Sequence, residues 1–144
     1  MTKTSIEMVR EFHETFATPT NNMSPINDAP TIDNVALNSM RVKLLREEVG
    51  ELEDALADGN VVEALDALTD IQYVLDGAYL ALGFHRVKDE ASALVHASNM
   101  SKAGADGKAI LREDGKILKG PNYQPVNLAP VIERLNAGAE SKAA

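Results

Sequence analysis

The sequence predicts an all-α protein, a bundle of four to five helices with a C-terminal hairpin and loop extension. Three observations carry this reading. Apolar residues recur three and four apart from Ile6 onward, which is the period of an amphipathic helix. Residues 44–76, LLREEVGELEDALADGNVVEALDALTDIQYVLD, read as two acidic amphipathic arms joined by the turn Asp58-Gly59-Asn60. The chain has 144 residues and no cysteine, so hydrophobic packing alone closes a core of single-domain size.

The elements follow in order. Thr4-Ser5-Ile6-Glu7 has the spacing of a capping box, and Ile6, Val9, Phe12 and Phe16 then mark one face of a first helix that ends before Pro19. His13 sits beside that stripe and is assigned no chemistry. Residues 18–31 hold three prolines and no apolar period, so they form a strap or lid over the bundle. Thr31 or Asp33 can cap a second helix running to about Ala57. Leu45, Val49, Leu52 and Leu56 form its apolar stripe, with Glu48 on the flank and Glu47 nearly opposite. The third helix runs from the 58–60 turn to Gly83, and its later half is apolar almost all round, as in a bundle centre or a dimer interface. A shorter helix over 87–101 places His96, Asn99 and Lys102 on one side. Asp114-Gly115 between two Ile-Leu pairs signals a hairpin within the 104–126 extension. A last short helix over 128–136 precedes a frayed tail, 137–144.

Composition narrows the function. With 14 basic against 22 acidic residues the net charge is −8, which argues against a nucleic-acid or anionic-membrane partner. The sequence shows no membrane-spanning run and no leader pattern, and a cytoplasmic location is expected. Residues three and four apart share a helix face, so Glu48 pairs with Glu51 and Asp66 with Asp70. Folding the arms about Gly59 brings the 48/51 level opposite residues 67–70, because both helices rise about 1.5 Å per residue. Four carboxylates held that close call for a cation, and an all-oxygen set suits Mg2+ or Mn2+ rather than zinc. The plain alternative is a solvated acidic face. A di-iron bundle would need Glu-x-x-His pairs, and Arg10, Leu82 and Ala93 stand three before the histidines.

The order EEVGE, turn, EALDALTDIQYVL, then VHASNMSK, DGKAILREDGK and LKGPNYQP resembles the all-α nucleoside triphosphate pyrophosphohydrolases. The likeness lies with the MazG-like and phosphoribosyl-ATP-pyrophosphohydrolase-like branch, including dimeric members that hydrolyse dUTP. It implies a metal-dependent homodimer, or a tetramer, that cleaves a nucleoside triphosphate to the monophosphate and pyrophosphate. Glu48 and Glu51 match the ExxE of that pattern, with Glu47 as an additional acid for catalysis. The ExxD is imperfect here: with Asp70 as its Asp, Ala67 occupies the Glu position, and Asp66 can stand in; with Asp66 as its Asp, Glu63 completes the motif and is the reserve ligand. Asn99 and Lys102 match phosphate-holding residues, and Lys119 and Tyr123 are weaker candidates for closing over the nucleotide. A non-catalytic nucleotide- or partner-binding bundle and a phosphoribosyl-ATP pyrophosphohydrolase stand as alternatives. The base is not legible.

Overall fold

Five α-helices and one short 3-10 turn make up the computed structural model, which describes residues 1–16 and 28–143, with side chains described only as far as Gly138. Residues 17–27, which take in most of the proline-rich strap over 18–31, therefore lie outside the described residues. The chain divides into two compact units, Met1–Arg86 and Val87–Ala144.

The first unit contains α1 (Ser5–Phe16), α2 (Val35–Ala57) and α3 (Val61–Leu82). The capping box closes α1 as its spacing requires. Glu7 accepts from the Thr4 amide at 2.7 Å and the Thr4 hydroxyl at 2.8 Å, while the Glu7 amide reaches back to that hydroxyl at 3.4 Å. These bonds favour the ionised form and hold the Glu7 carboxyl below its usual range. The cap of α2 corrects the expectation of Thr31 or Asp33, since it is Asn34 that accepts from the Leu37 amide at 3.0 Å.

A tight turn then reverses the chain. Gly59 takes φ +65°, and the Asn60 side chain caps α3 by accepting from the Glu63 amide at 3.2 Å. The most extensive packing in the molecule is α2 against α3, followed by α1 against α3. Leu80, Ala81, Ala78 and Ala67 of α3 are buried with Val9 of α1 and with Leu37 and Ala55 of α2. The α2 stripe read from sequence is only partly covered within one chain: Leu45 and Leu52 are half-buried, whereas Val49 and Leu56 remain exposed. The centre of this unit is unexpectedly polar, with His13 only 2% and Arg41 only 6% exposed and Asp76 fully buried.

Gly83 ends α3 in the left-handed region, φ +80°, as a helix-terminating glycine does. The chain before α2 crosses this end, with the Thr31 amide donating to the Leu82 carbonyl at 3.2 Å and Arg86 paired with Asp28 at 2.6 Å.

The second unit opens next to the 3-10 turn His85–Val87 with α4 (Lys88–Met100) and ends with α5 (Ala129–Ala143). Helical backbone thus continues through Ala143, past the Asn136 end expected. Between them the hairpin is reduced to a single antiparallel bridge, Leu111 to Ile117, turning at Gly115 with φ +86°. Arg112 pairs with Asp114 inside that turn. Arg134 of α5 is ion-paired with Glu90 of α4. No described helix is long and apolar enough to cross a membrane.

Candidate active site

Glu48 is the residue around which the first unit's acids gather. It lies on the α2 face turned toward α3, because it follows Arg41 and Leu44 at helical intervals. Its side chain is half-buried, and its Oε2 is shut off from solvent with no hydrogen-bond partner. Its carboxyl is held above the ordinary value, first by burial and then by the negative charges of Glu51, Asp70, Glu47 and Asp66, in that order. Both arms of the helical hairpin thus act on one carboxylate, at the level that antiparallel folding about Gly59 requires.

The other acids divide by position. Asp70 is half-buried, while Glu51 and Asp66 are exposed. Glu47 is exposed too and leans toward Lys43 one turn back, at 3.8 Å. Glu63 lies nearer the turn, lining a shallow hollow with Asp54, Asp58, Asn60 and Glu51, the last of which also acts on Glu48. Ala67 is 2% exposed in the packed core of the unit, so a side chain at this position grows into protein rather than solvent. Among the described residues, no three His, Asp or Glu side chains converge closely enough to hold a metal ion as they stand.

The polar residues of the second unit form their own constellation. The ammonium of Lys102, just past the end of α4, donates to Asn99 Oδ1 at 2.8 Å. Lys119 lies over the Tyr123 ring, 4.8 Å from its centroid, within cation–π range. Gly120 presses against the end of α4 so closely that a Cβ there would fall 2.1 Å from the Ala103 carbonyl oxygen and 2.7 Å from that of Lys102. Ser98 and Ser101 fasten the same loop: the Ser98 hydroxyl donates to the Gln124 carbonyl at 2.7 Å, and the Gln124 amide donates to the Ser101 hydroxyl at 2.8 Å. The four residues singled out in this half of the sequence are therefore held in two pairs on neighbouring segments. His96 is exposed and stays without a role.

Residues 9–99 match the model of the phosphoribosyl-ATP pyrophosphohydrolase family. The chain belongs to that family. The match runs from the buried face of α1 through the acidic hairpin to Asn99, so it takes in every acid that acts on Glu48. As a phosphoribosyl-ATP pyrophosphohydrolase family member, the chain also falls within the MazG-like nucleoside triphosphate pyrophosphohydrolase superfamily. A similar protein, the uncharacterized protein L479 of Acanthamoeba polyphaga mimivirus, is 38% identical over 84 residues. That alignment covers 57% of this chain and 32% of the viral protein, so the match spans about a third of its relative's length.

Sequence reasoning missed Arg41 and Asp76, whereas the buried His13 agrees with its reading as a packed histidine beside the α1 stripe. One signal was available for Arg41: it precedes Glu48 by seven residues, two helical turns, and so occupies the same face of α2.

Proposed function

We propose that this protein is a metal-dependent nucleoside triphosphate pyrophosphohydrolase, acting on a ribo- or deoxyribonucleotide such as dUTP or a modified nucleotide. Water attacks a phosphorus atom of the α–β anhydride and that bond breaks, releasing the nucleoside monophosphate and pyrophosphate. The observation that carries this reading is the Glu48 carboxylate, half-buried, unpartnered at Oε2 and flanked by acids from both arms. A buried carboxylate oxygen without a donor, under the influence of further carboxylates, fits a hard divalent cation.

Glu48, Glu51, Asp66 and Asp70 would hold Mg2+, or Mn2+, with Glu63 in reserve. Bound there, the ion would supply neutralisation of phosphate charge and a lower pKa for water. Glu47 would accept the proton that the attacking water loses, a role that requires the substrate to approach from the solvent side of α2. Within the second unit, Lys102 and Asn99 offer charged and neutral donors suited to phosphate oxygens, with Lys119 and Tyr123 as weaker candidates.

The test is to incubate the protein with magnesium and a panel of nucleotides that includes phosphoribosyl-ATP, and to analyse the products. Monophosphate plus pyrophosphate supports the proposal, whereas phosphate release would assign another phosphohydrolase. Buried Ala67, at the position where the family pattern has Glu, favours a second reading as a binding module; tight nucleotide binding without turnover would establish that one.

The same reading includes a homodimer. Val61, Leu65, Leu68 and Leu75 of α3 stand at alternating four- and three-residue steps, through Gln72, and all are exposed in the single chain. Leu56 and Val49 on α2 are exposed as well, more apolar surface than isolated positions would leave. Light scattering at micromolar concentration should give about twice the 15.5 kDa chain mass. A mass four times that of the chain would extend the assembly to a tetramer, and a stable monomer would remove the dimer from the proposal.

A further inference from the structure

The loop over 119–125 draws its hold from α4 rather than from itself. Pro121 and Pro125 have no amide hydrogen to give, and the turn inside the loop is closed by the Tyr123 amide, which donates to the Gly120 carbonyl at 3.2 Å. Gln124 is one fixed point. It precedes a proline and so favours extended backbone, and both of its backbone polar groups are taken by serine hydroxyls of α4 and its cap. The Gln124 carbonyl accepts from Ser98 at 2.7 Å, and its amide donates to Ser101 at 2.8 Å. Ser101 in turn donates to the Ser98 carbonyl at 2.7 Å.

Gly120 is the other fixed point. A Cβ there would fall 2.1 Å from the Ala103 carbonyl oxygen and 2.7 Å from that of Lys102, so the backbone next to Lys119 runs directly against the backbone that carries Lys102. Two ammonium groups are thus rooted on touching segments. Lys102 is tied to Asn99 at 2.8 Å, and Lys119 lies over the ring of Tyr123, which stands between the two fixed points.

The serines are not there for the helix. Alanine is the better helix former, and a hydroxyl as enclosed as that of Ser98, 9% exposed, is unfavourable unless it finds a partner. Its partner is the loop. Ser101, Gly120 and Gln124 also lie beyond residue 99, where the family match ends.

Building on the pyrophosphohydrolase reading, we propose that Ser98 and Ser101 are positioning residues, whose hydroxyls hold this loop on the end of α4 so that Lys119 joins Lys102 on one polyphosphate. Neither serine touches the ligand. With the loop already ordered, a ligand does not have to order it on binding, and the benefit appears in affinity and KM rather than in kcat.

The experiment titrates inorganic tripolyphosphate, in the presence of magnesium, into wild type, Ser101→Ala, Ser101→Thr, Lys119→Met and the Ser101→Ala/Lys119→Met double variant. Tripolyphosphate has neither base nor sugar, so the titration reads phosphate contacts alone. Circular dichroism establishes folding, and turnover is measured on the nucleotide that wild type hydrolyses fastest. Ser101→Ala should weaken binding and raise KM about 5- to 10-fold with kcat within about twofold, because it leaves the Gln124 amide without its partner. Ser101→Thr keeps the hydroxyl and should stay within about twofold of wild type. In the Lys119→Met background, Ser101→Ala should add less than about twofold, since the serine acts through that lysine.

Wild-type affinity in folded Ser101→Ala, or fully additive losses in the double variant, would overturn the positioning role and leave the hydrolase reading intact. Equal losses in Ser101→Ala and Ser101→Thr would overturn it as well. If Ser101→Ala does not fold, Ser98→Ala, which frees the Gln124 carbonyl instead, decides by the same comparison with Lys119→Met. Serine-dependent tripolyphosphate binding without turnover of any nucleotide would uphold the loop's role and overturn the hydrolase. A wild type that does not bind tripolyphosphate would overturn the loop's role, and its turnover would then decide the hydrolase reading separately.

Discussion

Glu48→Gln and Asp70→Asn should each lower metal-dependent turnover on the order of 100- to 1,000-fold, the scale associated with losing one preorganised electrostatic group, while helical content stays at the wild-type level. Asp66→Asn should also be damaging, and Glu63→Gln mild, because Asp66 acts on Glu48 and Glu63 does not figure among the charges that raise it. Tolerance of Asp70→Asn together with a damaging Glu63→Gln would move the second acidic pair to the 63/66 level. Turnover surviving in both Asp66→Asn and Asp70→Asn would remove α3 from the metal site.

The same substitution carries a pH signature. The folded state raises the Glu48 carboxyl above its ordinary 4.5, so the folded protein binds that proton more tightly than the unfolded chain. The associated stability is fully present below the ordinary value and is lost as pH rises through the raised one. Thermal melts of the metal-free protein should show this loss above pH 4.5, and Glu48→Gln should flatten it. At neutral pH, magnesium should raise the melting temperature of wild type more than that of the variant, since a cation that binds only the folded cluster stabilises by mass action. Equal shifts in the two proteins would place the cation elsewhere.

Gly83→Ala should destabilise the fold by about 3 kcal/mol or more, through two additive causes. The residue occupies φ +80°, where a Cβ is unfavourable, and that Cβ would lie 2.5 Å from the Ala29 carbonyl oxygen and 2.9 Å from the Pro30 nitrogen. Both are backbone atoms and cannot swing aside as a side-chain tip would. Urea unfolding should show the midpoint falling with the slope unchanged. Gly50→Ala is the natural control: it lies inside α2 with nothing within 4 Å of the added methyl group, and should gain about 0.5–1 kcal/mol. A Gly83→Ala protein as stable as wild type would mean that the segment before α2 does not hold its place across the end of α3.

The elements whose signals are local were legible in the sequence. The Thr4/Glu7 box, the Asp58-Gly59-Asn60 reversal and the Gly83 stop each depend on residues within one turn of one another, and the helices begin or end there. The facing of the two acidic arms was legible as well, because one short turn and a constant helical rise leave little freedom. The cap of α2 was not, since Thr31, Asp33 and Asn34 are all short polar residues able to accept from a nearby amide. Nor was the buried polar centre. His13, Arg41 and Asp76 come from three different helices, and only His13, beside the α1 stripe, reads alone as a packed residue; Arg41 and Asp76 each read as a charge on an amphipathic surface. Only packing of α1 and α2 on α3 shows that they are enclosed. The exposure of Val49 and Leu56 was hidden for the opposite reason: a stripe with the correct period marks an apolar face, and does not say how much of it the rest of the chain covers.

The closeness of α2 and α3 along the chain also bears on the order of events during folding. Their contacts are local, joined by a three-residue turn, so this hairpin can form without first closing a long loop, whereas α1 must be brought in across the strap. That hairpin also brings the acids of both arms to act on Glu48. If the hairpin forms first, repulsion among the acids that act on Glu48 opposes that step, and a divalent cation that relieves it should appear as faster refolding more than as slower unfolding.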